Sequence, residues 1–180
     1  MTTTLAFDTA TSFGAVCALS NGGASHRPRA GDLLAAVDEL VGDPATIGAI
    51  VVGRGPGSFT SIRIGLAVAR SLGFTLGIPV SGASTLHAFA GGVPVIDARR
   101  GEVFTLGPRV ATPEDLDVDG KTLVGDGAVR YRGVFEARGA LVLPDDASVH
   151  RPAPLLLVDH AGDSIEPLYV RDPDAKPRTT

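Results

Sequence analysis

Two features of the sequence have residue types and spacing suited to chemistry: an aspartate ending the first apolar run and a glycine-rich turn near residue 55. Asp8 closes the run TLAFD and opens DTAT, so that Thr9 and Thr11 flank Ala10. A carboxylate at a strand tip beside threonine hydroxyls can position Mg2+ and phosphate. Against this stands Ala10, whose Cβ obstructs the backbone where a closely held phosphate favours glycine. No companion acidic cluster suited to two-metal chemistry accompanies Asp8 in the first half of the chain. The other reading is that Asp8 fastens its turn by accepting backbone N–H groups. Asp97 ends a second such run, VPVID, so Asp8, Thr9, Thr11 and Asp97 make up a candidate vestigial nucleotide site, with weak ATP or ADP binding with Mg2+ as its extreme form.

The second feature is VVGRGPGSFTSIRIGLAVARSLGF, residues 51–74, which reads as buried strand, glycine turn and helix. Free N–H groups at a helix start attract anions. Yet GRGPG lacks the Gly-Lys-Ser/Thr of a P-loop and the third glycine of a dinucleotide fingerprint. Pro56 also removes one N–H that a phosphate would use. The alternative is a tight strand-to-helix corner, with Ser58 as the helix cap. At about 100° per residue, Ile62, Ile64, Leu66, Val68, Ala69, Leu72 and Leu76 sweep an arc of about 200°. A helix lying on one sheet needs a stripe of only about 100°. Either the chain covers the excess itself, or another subunit does. Gly65, Ser61 and Ala69 within the arc would let another backbone approach closely, while Arg63 and Arg70 lie on the remaining face.

Other chemistries find little support. The four histidines, at 26, 87, 150 and 160, never stand three or four residues apart, so no helical metal pair exists. No Gly-x-Ser-x-Gly elbow appears. Arg99 and Arg100 occupy a hairpin turn, where they are either ordinary turn residues or a grip for an acidic partner. Cys17, the one cysteine, excludes an internal disulfide and reads as a buried, inert thiol. A formal charge of −4 gives no basic face for gripping RNA unaided. No run approaches the ~18 apolar residues of a membrane span and no leader pattern opens the chain, which implies a soluble, cytoplasmic protein.

These residues must be positioned by an α/β framework. TLAFD, GAVCALS and a third strand from Ala24, with NGG turning the second hairpin, predict an antiparallel meander. Residues 31–42 predict an amphipathic helix through Leu33, Leu34, Val37, Leu40 and Val41, capped by Asp32 and stopped by Gly42 and Pro44. IGAIVVG is apolar on both faces, as in a central strand. A long helix to about Leu76, a strand in 77–82 and a short helix at 84–90 follow. VPVIDARRGEVFTLG then repeats the layout of the N-terminal segment, so two related lobes are expected, 1–92 and 93–172, with a flexible tail at 173–180. The second lobe reads as abridged: a helical turn capped by Thr112, strands at 121–125 and 140–144, and a proline-rich stretch from 144 to 154.

LAFDTAT, VVGRGPGSFTSIRIGLAVARSLGF, VIDARRGEVF and EPLYVRDPDAKP together resemble the bacterial TsaB (YeaZ) family, most clearly over residues 4–107. Ser61 departs from the family pattern, where glycine is common, and the compressed region 108–165 is shorter than usual. The resemblance implies the actin-like/sugar-kinase/Hsp70 ATPase (RNase H-like) fold. It also implies a non-catalytic subunit of the machinery that makes threonylcarbamoyladenosine at position 37 of tRNAs reading ANN codons. The family's catalytic paralogue, TsaD, holds metal through a His-x-x-x-His pair that this chain lacks. The implied partners are a TsaD-type protein, a TsaE-type ATPase and, for the isolated chain, a second copy of itself, with tRNA reached only through the complex. Carried over by position, the helices at 31–41 and 58–76 become the contact surface, with Leu33, Val37, Ser58, Ile62, Arg63, Gly65, Leu66, Ala69 and Arg70 as its residues. The rival from another class is a reduced ATPase or phosphotransferase using Asp8, Asp97 and a magnesium nucleotide.

Overall fold

Alternation of side chains organises the chain into a five-stranded sheet and, in the second half, two three-stranded sheets that run on from one another through Val95, and a computed structural model describes residues 2–145 and 148–171 of it. The first sheet is built from β1 (Thr3–Asp8), β2 (Ala15–Leu19), β3 (Ala24–Arg27), β4 (Ile47–Gly53) and β5 (Val80–Ala83), in the order β3-β2-β1-β4-β5. The meander β1–β2–β3 is antiparallel, whereas β4 and β5 join it in parallel through helical crossovers. Leu5, Phe7, Ile50 and Val52 point to one face, where α1 (Leu33–Leu40) and α2 (Phe59–Leu76) cover them. The intervening Ala6 and Val51 point to the other face. This is the period of two expected of strands buried on both sides.

The second half repeats the plan. β6 (Val93–Pro94) and β7 (Ile96–Arg99) are separated only by Val95, whose N–H donates to the Val124 carbonyl at 2.8 Å. β7 pairs antiparallel with β8 (Glu102–Thr105), which pairs with β9 (Arg109–Ala111). β6 pairs in parallel with β10 (Thr122–Val124), which pairs with β11 (Leu141–Val142). Meander plus two parallel strands is thus the arrangement in both halves, but whereas Asp8 ends β1, β7 continues past Asp97 to Arg99, so Asp97 is not the strand end that the sequence predicts. Ile96, Ala98 and Phe104 face Ala6 and Val51 across a shared core, while Val95, Val103 and Leu123 face α3 (Asp126–Arg130) and α4 (Arg132–Glu136). Neither of these two short helices, nor β9, is expected from the sequence.

Several local details differ from expectation. Asp32 does not cap α1 with its side chain, because its carboxylate is held by Arg29 at 2.9 and 3.1 Å. Leu34 is exposed instead of joining the apolar face. The Thr112 hydroxyl donates to the Asp115 carboxylate and accepts no helix-start N–H as a cap would. Residues 154–168 return to the first sheet: a 3-10 helix, Pro154–His160, lays Leu157 into the shared core, and Gly162 bridges to Gly82 of β5. The expected tail at 173–180 lies outside the described residues.

The largest difference concerns α2. Ser58 caps it, as the sequence implies, and Gly77, in the left-handed conformation, ends it. Its apolar arc, however, is covered mainly by the protein itself. Ile62, Gly65, Leu66 and Ala69 are buried on the sheet, and Leu33 and Val37 of α1 are buried beside them. Val68, Leu72 and Leu76 pack half-buried against the same core. These six interface candidates, Leu33, Val37, Ile62, Gly65, Leu66 and Ala69, therefore belong to the protein's own interior in this conformation. A charge at Leu66 would report on folding and not on a partner. Besides Phe59, Arg63, Arg70 and Thr75, α2 exposes Thr60, Ala67, Ser71 and, 92% exposed, Phe74. Accordingly, Leu66→Ala should cost about 3 kcal/mol in urea denaturation through lost burial and a residual cavity, whereas Phe74→Ser should stay within about 0.5 kcal/mol.

Candidate functional site: the outer face of α2 and the cleft between the sheets

The glycine turn shapes a corner. A Cβ on Gly57 would lie 2.2 Å from the Ala10 carbonyl oxygen, and Ser58 N–H donates to that oxygen at 2.8 Å. The loop thus presses its backbone onto the β1–β2 turn. Thr9 completes the join: its hydroxyl donates to the Ser61 carbonyl at 2.7 Å, and Gly65 lies against it with no room for a side chain.

Asp8 is sealed beneath this corner. One carboxylate oxygen accepts Ala10 N–H at 2.8 Å, and the other accepts the Thr85 hydroxyl at 2.6 Å. Thr85 Oγ1 in turn accepts Gly55 N–H at 3.1 Å, so one buried acid links the β1–β2 turn, the 3-10 helix Thr85–Ala88 and the glycine loop. A Cβ on Gly53 would stand 1.7 Å from Asp8 Oδ2. Burial pushes the Asp8 carboxyl up to about 6, against the pull of its hydrogen bonds from Thr85 and Ala10 and with a further push from the Asp126 charge. Thr11 is buried as well.

The four candidate nucleotide residues are therefore not brought together at an accessible site. Asp8, Thr9 and Thr11 are enclosed, and Asp97 alone lines the cleft between the sheets, a space of about 470 Å³. Among the described residues no group of three or more His, Cys, Asp or Glu side chains converges. These residues do not fit a magnesium nucleotide. Cys17 is buried and its thiol pushed up to about 11, chiefly by desolvation, so it carries no appreciable thiolate near neutral pH. His87 stacks on His160 with ring centres 4.0 Å apart, and burial lowers its pKa.

One wall of the cleft and one edge of α2 share a clasp. Tyr169 stacks on Phe59 at 4.8 Å, and the Arg63 guanidinium lies 3.7 Å from the Phe59 ring centre and donates to the Tyr169 hydroxyl at 3.0 Å. Arg70 donates to the Ile165 carbonyl and pairs with Glu166, both at 2.9 Å. Arg63 and Arg70 thus serve the chain's own C-terminal segment, and Ser58 serves its cap. Sequence reasoning gave no role to Asp126, Tyr169 or Phe74. Only the run EPLYVRD, which resembles a family segment, pointed near the clasp.

The comparisons agree with this architecture. A family model described as TsaD, tRNA N6-adenosine threonylcarbamoyltransferase, matches residues 25–126. An uncharacterized protein of Mycobacterium tuberculosis is 37% identical over 163 residues, 81% of this chain and 74% of that protein. The tRNA threonylcarbamoyladenosine biosynthesis protein TsaB of Bacillus subtilis is 39% identical over 93 residues, 45% of this chain and 39% of that protein. The solved structure of YeaZ from Pseudomonas aeruginosa superposes with a TM-score of 0.73 at 28% identity, covering 94% of this chain and 100% of that one. The chain belongs to the TsaB/YeaZ family.

In this TsaB-type protein the fold is the actin-like one implied by the sequence, and a carboxylate at the β1 tip has become an internal fastening. That fastening has a pH signature. Asp8 binds its proton more tightly folded, at about 6, than at its ordinary value of 3.8. Its contribution is most favourable below that ordinary value and is lost as pH rises through about 6. Asp8→Asn keeps an acceptor for Ala10 and a donor for Thr85 without the buried charge. It should raise stability by about 1–3 kcal/mol above pH 7 and give no gain below pH 4, as read from urea midpoints across that range.

Proposed function

We propose that this chain is the accessory, non-catalytic subunit of a cytoplasmic threonylcarbamoyladenosine-forming complex, which binds and activates a TsaD-type transferase. One observation carries the reading. α2 is an 18-residue helix fixed rigidly to the sheet, yet it turns Thr60, Ala67 and Ser71 outward beside a bare Phe74. Small side chains allow a second helix to come close, and an aromatic anchor beside them is the usual composition of an interface centre. Leu34, exposed on α1, adds to the apolar surface of the same layer.

The relatives' names support the pathway. TsaB of Bacillus subtilis and of Escherichia coli are both called tRNA threonylcarbamoyladenosine biosynthesis proteins. The enclosure of Asp8, on which a phosphotransferase reading depends, favours a subunit over an enzyme. A TsaE-type ATPase joins the pair, tRNA is contacted through the complex, and the isolated chain uses the same α2 face to form a homodimer. The surface is narrower than the sequence implies: Thr60, Ala67, Ser71 and Phe74 of α2 replace the buried Ile62, Leu66 and Ala69.

Size exclusion and titration calorimetry with a TsaD-type partner test this. Phe74→Glu and Ala67→Arg should each weaken association at least tenfold, about 1.4 kcal/mol, with unchanged urea midpoints. Wild-type affinity in both variants would remove α2 as the interface. Absence of any complex between the wild-type proteins, together with modification that proceeds equally well without this chain, would remove the subunit reading itself.

A further inference from the structure

The cleft between the two sheets has the dimensions of a ligand site, but its polar groups are already answered from within. Asp126, the first residue of α3, sits on the cleft wall with 8% of its surface exposed. Its Oδ1 accepts the N–H of Asp97 at 3.0 Å, and its Oδ2 accepts the N–H of Ser12 at 2.9 Å. Ser12 lies in the β1–β2 turn of the first sheet, and Asp97 lies in β7 of the second. One carboxylate therefore holds the backbones of both halves. An ionised carboxylate is suited to this, because both its oxygens accept and neither donates, and hydrogen bonds to a charged acceptor are the stronger kind.

The neighbouring charges close the remaining gaps. Asp97 accepts the Arg99 N–H at 2.9 Å and lies 3.4 and 3.7 Å from the guanidinium groups of Arg99 and Arg130. A second link runs through the C-terminal segment. Tyr169 grips Phe59 and Arg63 of the first half, while two residues on Arg171 donates to the Ala98 carbonyl at 3.1 Å and pairs with Glu102 of the second.

We propose that Asp126 is an interlobe lock, assisted by the Tyr169–Arg171 clasp, which fixes the cleft at one width so that the halves move as one body and do not close on a ligand. The inference goes beyond the subunit reading and does not depend on it. In Asp126→Asn the side chain keeps nearly the same shape but must turn an NH2 toward one of the two backbone N–H groups, so one half is released.

Two NMR measurements on the full chain decide the matter. In the wild-type protein, N–H residual dipolar couplings from β1–β5 and from β6–β11 must fit one common alignment tensor; separate tensors overturn the lock, whether or not any variant folds. In Asp126→Asn, amide exchange at Ser12 or Asp97 should quicken at least tenfold while Leu5, Phe7 and Leu123 keep their rates, and the two sets of couplings should part into distinct tensors. Unchanged exchange at both amides overturns the proposal. So does faster exchange with a tensor still shared, since the carboxylate would then shield two amides without governing the halves.

Discussion

The absence of a Cβ at Gly57 is the constraint on which most of the arrangement depends. Because the loop backbone can touch the Ala10 carbonyl, α2 starts directly above the β1–β2 turn. That position brings Ser61 within reach of the Thr9 hydroxyl and sets Gly65 against it. It also closes the roof over Asp8, which is why a surface-type residue at a strand tip ends up among the most enclosed groups in the protein. A methyl group at Gly57 would push the helix start off the turn, and the burial of Ile62 and Leu66 would be lost with it. The glycine turn resembles a phosphate cradle in sequence because both need backbone to approach something closely. Here the thing approached is another strand of backbone.

The shared core shows how each half of the chain completes the other. Ala6, Val51, Ala83, Ile96, Ala98 and Phe104 meet between the sheets, with Leu157 inserted from the returning C-terminal segment. Each sheet thus supplies part of the cover that the other needs, and each is finished on its far side by helices. α3 and α4 are five residues each, too short to be stable alone. They persist because Ala128 and Phe135 are buried against Val95, Val103 and Leu123. The strand order is the same in both halves because it depends on pairing and chain direction, which do not require long helices.

Elements with a strong period were legible in the sequence. The meander shows alternation and an NGG turn, and α2 shows a cap and a continuous apolar face. The stretch GDGAVRYRGVFEARG was not, since Gly127 and Gly133 interrupt helical propensity and each helix ends before a period is established. The role of Asp8 was half legible: the bond to Ala10 is local, but the bond to Thr85 spans 77 residues. Asp126 gave no signal at all, because its two partners are backbone amides, which any residue type provides.

The width of the apolar arc on α2 predicts surface for another subunit to cover, whereas most of that arc is covered by the chain itself. Periodicity measures how much of a helix is apolar, but not which flank its own chain will cover. One flank meets the core beside α1 through Val68, Leu72 and Leu76, and the edge bearing Phe59, Arg63 and Arg70 meets residues 165–169. That second cover comes from nearly a hundred residues away and is made by arginines, a tyrosine and carbonyl groups, none of which registers in a hydrophobic pattern. Phe74 lies one turn beyond Arg70, past the last contact of that cover, and so it is the side chain left bare. Any partner that uses this helix meets an edge already built from two distant parts of one chain.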